Sequence, residues 1–109
     1  MEIFIDIPSK VNDIFLTDLE VIFNKSLSNH KNLIFIFDLT KLTNFPSLSK
    51  VFKLKHIIDF HRENIDKYLL YSKVLIINKS FKQFLDTVLI FLDPHKPIYF
   101  CETTSLNIQ

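Results

Sequence analysis

The feature that most constrains the fold is a strand–helix–strand unit in the second half of the chain. Residues 74–78 (Val-Leu-Ile-Ile-Asn) form an apolar run with a polar end, and residues 97–101 (Pro-Ile-Tyr-Phe-Cys) form a second run. Between them, apolar residues recur with the period of one helix face: Phe81, Phe84, Leu85, Val88, Leu89 and Leu92. Asp93-Pro94 ends this helix. Strands that are apolar on both faces are typical of parallel sheets, so we expect burial on both faces.

Strands and helices also alternate in the first half of the chain. Residues 2–7 and 33–37 are predicted strands, and Asp13–Asn29 is a predicted helix. Either Asn12 or the Thr-x-x-Glu pattern at residues 17–20 marks the start of this helix.

A second helix is predicted over residues 46–64, with Pro46 in its first turn. One face of this helix would carry Leu48, Val51, Phe52, Lys55 and Ile58. Residues 65–71 are compatible with a helix end, a short extra helix or an extended approach to the third core strand.

The predicted order is β-α-β-α-β-α-β, and parallel crossovers are right-handed in nearly all proteins. We therefore expect an α/β fold with a four-stranded, mostly parallel sheet in sequential order, built as a right-handed strand–helix superhelix. The chain of 109 residues predicts a single domain, 1–109, with a core over about residues 2–102 and a short tail, 103–109. The predicted core includes Ile34, Ile36, Leu75, Ile77, Phe84, Leu85, Val88 and Phe100.

Composition excludes several classes of function. The chain has no glycine, which both the P-loop and the dinucleotide-binding fingerprint need where backbone approaches phosphate. A net charge of +1 indicates no nucleic-acid partner and makes a membrane-surface role unlikely. The single cysteine suits a reducing compartment, and the N-terminus lacks a signal-peptide pattern, so we expect a cytoplasmic protein.

The candidate catalytic residues form no motif. The four histidines, His30, His56, His61 and His95, have no metal-binding spacing. Cys101 lies in a predicted strand without a histidine motif, which favours a structural thiol over a nucleophile. We therefore expect no catalytic residues, no metal and no other cofactor.

Three polar residues have both a functional and a structural interpretation. Asp38 ends a predicted buried strand, where a carboxylate serves a ligand, a metal or a phosphoryl group, or caps the next loop. Ser47 and Ser49 lie at the start of the second helix. A hydroxyl there normally bonds the local backbone, and an added phosphate would meet the helix N-terminus favourably.

Residues 37–48 (Phe-Asp-Leu-Thr-Lys-Leu-Thr-Asn-Phe-Pro-Ser-Leu) resemble the central stretch of STAS domains, the anti-sigma-factor-antagonist family. In that alignment Asp38 matches the strand-end Asp, Thr40 the turn Ser, and Ser47 the serine that regulatory members phosphorylate. Pro46 stands where the family has Asp. Residues 74–94 are similar to CRAL-TRIO lipid-binding domains, in which a strand ending Ile-Ile-Asn precedes a helix ending near Phe-Leu-Asp-Pro.

The STAS resemblance implies a non-enzymatic protein-interaction or regulatory module. We expect it to bind a partner protein through the second helix and the preceding loop, with Asn44, Phe45, Ser47 and Leu48 as partner-binding residues. Ser47 is the candidate phosphorylation site, and Phe45 is either an exposed anchor or a staple over the helix start. The alternative function is a small lipid- or ligand-binding module of CRAL-TRIO-like type. Self-association as a homodimer also remains open.

Overall fold

A four-stranded parallel sheet forms the centre of the structure, a computed structural model that describes residues 1–29, 31–77 and 79–103. Its strands are β1 (Glu2–Asp6), β2 (Leu33–Asp38), β3 (Leu69–Ile76) and β4 (Ile98–Glu102). They are hydrogen-bonded in the order β1-β2-β3-β4, and every neighbouring pair is parallel. The predicted fold class and strand order are confirmed. The predicted strand end Asn78, His30 and tail residues 104–109 lie outside the described residues.

Four helices connect the strands: α1 (Asp13–Asn29), α2 (Leu48–Phe60), α3 (Arg62–Tyr68) and α4 (Lys79–Leu92). Of the two starts that the sequence left open, Asn12 is the one that caps α1, because its Oδ1 accepts a hydrogen bond from the Phe15 backbone N–H at 2.8 Å. The end of α4 is at the predicted place, where Asp93 adopts a left-handed backbone (φ 49°) before Pro94.

The second predicted helix differs from the observed helices at both ends. Pro46 lies before α2 and not in its first turn, because Ser47 has an extended backbone and caps the helix. The helix breaks at His61, and α3 follows as a separate helix. The ambiguous residues 65–71 divide between the end of α3 and the start of β3, which begins at Leu69.

The core lies between one face of the sheet and the helices. At its centre the Phe35 side chain is 1% exposed and stacks on Phe23 of α1, with ring centroids 5.1 Å apart. The buried cluster consists of Ile5, Ile7, Leu16, Leu19, Phe23, Leu27, Leu33, Phe35, Leu42, Ile57, Ile65 and Leu69. This one-sided arrangement follows from the strand order, since successive right-handed crossovers all pass over the same face.

The opposite face of the sheet is not covered by a helix in the described part of the chain. Strand register places Phe4, Ile36, Lys73 and Tyr99 in one row across it. The Tyr99 ring meets Tyr71 of β3 edge-on at 5.4 Å, and Phe4 is 68% exposed. The expectation that the strands are buried on both faces is therefore wrong. Sequential strand order leaves no crossover to cover this side.

The predicted core residues differ in burial. Ile36 is buried although it lies on the uncovered face, whereas Ile77, just beyond β3, is 43% exposed. The remaining predicted core residues are only half-buried: Ile34, Leu75, Phe84, Leu85, Val88 and Phe100. Ile34 and Leu75 lie on the uncovered face, and the three α4 residues line an apolar cavity between the helices and the sheet.

His61 is a buried histidine at the junction of α2 and α3. Its ring meets Phe23 edge-on with centroids 5.6 Å apart. Its Nε2 has no hydrogen-bond partner among the described residues. Burial lowers the pKa of His61, and the Glu20 carboxylate opposes this shift only in part.

We expect the protein to lose stability as the pH falls below about 6.5, the ordinary histidine pKa. Because the pKa of His61 is lowered in the folded state, the unfolded chain takes up the proton first. The stabilising contribution of neutral His61 is therefore complete above about pH 6.5. It is lost as the pH falls towards the lower pKa of the folded state. His61→Phe should remove this component, as measured by urea unfolding at about pH 7.5 and about pH 5.5. His56→Phe, at an exposed position, is the control. Equal acid sensitivity in the wild type and His61→Phe would contradict the assignment.

Candidate functional site

The predicted site lies in the loop between β2 and α2, whose first half is fixed by local bonds. The Asp38 carboxylate accepts hydrogen bonds from the Thr40 backbone N–H at 2.9 Å and from the Thr40 hydroxyl at 2.6 Å. Leu42 is buried in the core. The Thr43 N–H donates to the Ser9 carbonyl at 3.0 Å, which ties this loop to the one after β1. Of the two roles that the sequence suggests for Asp38, these bonds correspond to the structural one. The carboxylate stabilises the turn that follows β2.

Phe45 occupies the outer half of the same loop and is 53% exposed. Its ring stacks on Phe84 of α4, with centroids 4.0 Å apart and planes 22° apart, and meets Phe81 edge-on at 4.9 Å. Phe45 thus packs against a helix that is distant in sequence while keeping about half of its surface in solvent. This geometry combines an exposed aromatic with a fixed orientation, which a contact residue needs.

Ser47 and Asn44 are the polar members of the predicted site, and both are exposed. The Ser47 hydroxyl accepts a long hydrogen bond from the Lys50 N–H at 3.4 Å and lies 3.1 Å from the Ser49 hydroxyl. It is therefore the N-cap of α2, as the structural interpretation predicts. The Asn44 amide donates to the Thr43 hydroxyl at 3.1 Å.

Exposed apolar side chains extend from this loop along α2 to α4. Leu48 is 70% exposed and Phe52, one turn later on the same helix face, is 52% exposed. The Phe52 ring meets Phe91 of α4 edge-on at 5.2 Å. We name Phe45, Leu48, Phe52, Phe84 and Phe91 the aromatic patch. Of the residues predicted to share one face of α2, Val51 is buried, whereas Leu48 and Phe52 are exposed.

A three-residue charge cluster joins α2 to the start of α1. Lys50 and Lys53 both donate to Oδ1 of Asp13, at 2.7 and 2.9 Å. These bonds, the one from Lys50 being the larger cause, lower the pKa of Asp13 to about 2. One carboxylate thus serves two ammonium groups, and the cluster keeps an excess of positive charge.

An apolar cavity of about 180 Å³ lies between the sheet and the helices, and all four helices contribute residues to its lining. From α4 it is lined by Phe84, Leu85, Val88, Leu89 and Leu92. Its floor includes Phe35, Phe37, Val74, Ile98 and Phe100.

The two ends of α4 are held differently. At its C-terminus, Arg62 donates to the Leu92 carbonyl at 3.0 Å and also to the Asp93 carbonyl. Leu92 itself is buried. Towards its N-terminus the apolar side chains are half-buried over the cavity, and the Phe45 stack covers them.

Among the described residues, His56, His61, His95 and Cys101 do not form one cluster. His61 is buried, His56 is exposed on α2, and the His95 ring contacts Asp66 at 3.2 Å and Asp93 at 3.4 Å. Within residues 1–29, 31–77 and 79–103, no group of three or more His, Cys, Asp or Glu side chains is placed to hold a metal. No helix in these ranges is both long and apolar enough to cross a membrane.

Comparison with protein-family models, curated proteins and solved structures found no match. The similarity of residues 37–48 to STAS domains, and that of residues 74–94 to CRAL-TRIO domains, therefore stay predictions.

Sequence reasoning missed the part that α4 plays in the site. Phe84 is a predicted core residue, and Phe91 has no predicted role in the site. Both belong to the aromatic patch in the structure. A signal was present in the sequence, because Ile90 and Phe91 lie outside the helix face that predicts burial. Ile90 is 83% exposed.

Proposed function

We propose that this chain is a non-enzymatic, STAS-like interaction module that binds a partner protein through the aromatic patch. The observation that supports this proposal is the grouping of Phe45, Leu48 and Phe52, each more than half exposed, on one surface. Isolated exposed apolar residues are ordinary, but contiguous ones mark interaction sites. Aromatic residues with fixed orientation are the usual anchors of protein interfaces.

The charges beside the aromatic patch suggest the chemistry of the partner. The Lys55 ammonium lies 5.5 Å from the Phe91 ring centroid, and Lys53 follows Phe52 on α2. A partner with apolar side chains at its centre and carboxylates at its edge would complement this surface. The single cysteine of the chain suits a cytoplasmic module.

Phosphorylation of Ser47 is the regulatory part of the proposal, and it rests on the STAS resemblance together with exposure of the hydroxyl. Ser47 lies between Phe45 and Leu48 in sequence, so a phosphate there adds nearly two negative charges within the aromatic patch. Desolvating that charge against apolar groups weakens the contact. The same charge favours the N-terminus of α2, so the helix itself stays intact.

The test begins with a photo-cross-linking residue at Leu48 in the native cells, and at Phe4 on the uncovered sheet face as the control position. A protein captured only from position 48 is then purified, and its affinity is measured by calorimetry. Phe45→Ala and Leu48→Asp should each weaken binding by about tenfold or more, while Phe4→Ala leaves it unchanged. Ser47→Asp keeps a good N-cap residue, so weaker binding at an unchanged melting temperature reports on the surface.

Normal binding by both Phe45→Ala and Leu48→Asp would contradict the proposal. An equal loss of affinity in Phe4→Ala would contradict it as well. Sedimentation of the wild type and of Leu48→Asp tests whether the partner is a second copy. A dimer that Leu48→Asp dissociates would make the module a homodimer.

A further inference from the structure

We propose that the cavity between the sheet and the helices binds a small neutral phenol or alcohol, whose single hydroxyl bonds the side chain of Ser72. The apolar body of the ligand fills the cavity and has about seven non-hydrogen atoms, oxygen included. This inference is independent of the partner-binding proposal, because it rests on the cavity and on one side chain of β3.

Ser72 is a buried polar residue in an apolar row of the sheet. Strand register places it between Phe35 of β2 and Ile98 of β4, and all three residues line the cavity. Ser72 is only 5% exposed. Its backbone N–H donates to the Pro97 carbonyl, but its hydroxyl makes no hydrogen bond to another residue in the described part of the chain. Because a buried hydroxyl without a partner costs free energy, the cavity favours an occupant that supplies one.

The rest of the lining selects a neutral ligand. Lys50 is the one charged residue among the described residues that line the cavity, and its ammonium bonds the exposed Asp13 at the surface. The aliphatic stem of Lys50, and not its charge, therefore borders the cavity. The other lining side chains, apart from Ser72, are aliphatic or aromatic. A charged ligand would lose its hydration here with no opposite charge to replace it.

The volume of the cavity and its single neutral polar side chain favour an organic molecule over water. A buried water needs about two to four polar partners, and Ser72 supplies one hydroxyl. Apolar cavities of about 150 Å³ stay dry and bind benzene. The volume here, about 180 Å³, is slightly larger. In proportion it accommodates about seven non-hydrogen atoms, which is the size of phenol.

NMR titration of the full chain with phenol and with toluene tests the proposal, since the two probes share a shape and differ in a hydroxyl against a methyl group. The wild type should bind both. Ser72→Ala should weaken phenol binding by about tenfold and change toluene binding by less than about twofold, because only phenol loses a hydrogen-bond partner. Ser26→Ala is the matched control, since Ser26 is similarly buried, at 4% exposure, but does not line the cavity. It should leave both affinities unchanged.

Val88→Trp fills the cavity from α4 and should abolish binding of both probes, whereas Ile90→Trp, at an exposed position of the same helix, should leave binding unchanged. The proposal is overturned if the wild type binds toluene alone or neither probe, if Ser72→Ala keeps the wild-type affinity for phenol, or if a folded Val88→Trp variant binds normally. If Val88→Trp fails to fold, the two serine variants alone decide the question.

Discussion

Phe35→Ala is expected to lower the free energy of unfolding by about 3–5 kcal/mol. Phe35 lies at the centre of β2, is 1% exposed, and stacks on Phe23 of α1. Removing its ring deletes buried apolar surface and leaves a void that the sheet backbone and α1 are too constrained to fill. Urea unfolding at neutral pH measures the loss.

Phe4→Ala is the control on the adjacent strand. Phe4 pairs with Ile36, the residue after Phe35. It therefore lies on the face opposite to Phe35, which is the uncovered face, and is 68% exposed. Its truncation should change the free energy of unfolding by less than about 0.5 kcal/mol. Similar losses in the two variants would mean that both faces of the sheet are covered in solution, contrary to the one-sided fold.

Arg62→Ala is expected to cost about 2–3 kcal/mol, the second-largest effect. The guanidinium group donates to two carbonyls at the C-terminus of α4, Leu92 and Asp93, where helical partners have run out. It also bonds Asp59 at 2.6 Å, and this bond is the main reason that the pKa of Asp59 is lowered. Losing the side chain leaves these helix-end carbonyls without their donor.

Arg62→Lys separates charge from geometry. A lysine keeps the positive charge but cannot reach three acceptors with a planar fork, so an intermediate loss is expected. Lys67→Ala removes an exposed pair with Glu63 and should cost less than about 0.5 kcal/mol. If Arg62→Ala is as mild as Lys67→Ala in urea unfolding, Arg62 does not fix the end of α4.

Strand order and most element positions were predictable because local signals agree with the final fold. The helix Asp13–Asn29 was predicted with its observed limits, since its polar cap and apolar period coincide. The second helix was less predictable, because Pro46 and Ser47 are both favourable helix starts and the cap geometry decides between them. The break at His61 has no glycine or proline to mark it.

Burial was less predictable than the elements. The apolar character of β2 and β3 suggested two covered faces, yet sequential strand order already implies that all crossovers share one side. Ile34 and Leu75 are half-buried for this reason. The helical spacing of apolar residues also predicted that Phe84 and Val88 are in the core. This spacing indicates which helix face points inward, but not how closely that face approaches the sheet. The cavity is therefore not a property that the sequence pattern can reveal.

Of the candidate site, the exposure of Phe45 was predictable, because Phe45 is an aromatic residue in an otherwise polar loop. Its role in binding stays a prediction. Its stacking on Phe84 depends on a contact between residues 39 positions apart, which local patterns do not contain. The same holds for the charge cluster, where Asp13 meets Lys50 across the α1–α2 contact.

Amide hydrogen exchange of the chain with and without its cross-linked partner tests binding through the aromatic patch. In the complex, exchange should be slower at the loop and first turns of α2, residues 43–52, and unchanged in the edge strands β1 and β4. Slower exchange confined to β1 and β4, with residues 43–52 unaffected, would contradict it and assign the interaction to the edges or uncovered face of the sheet.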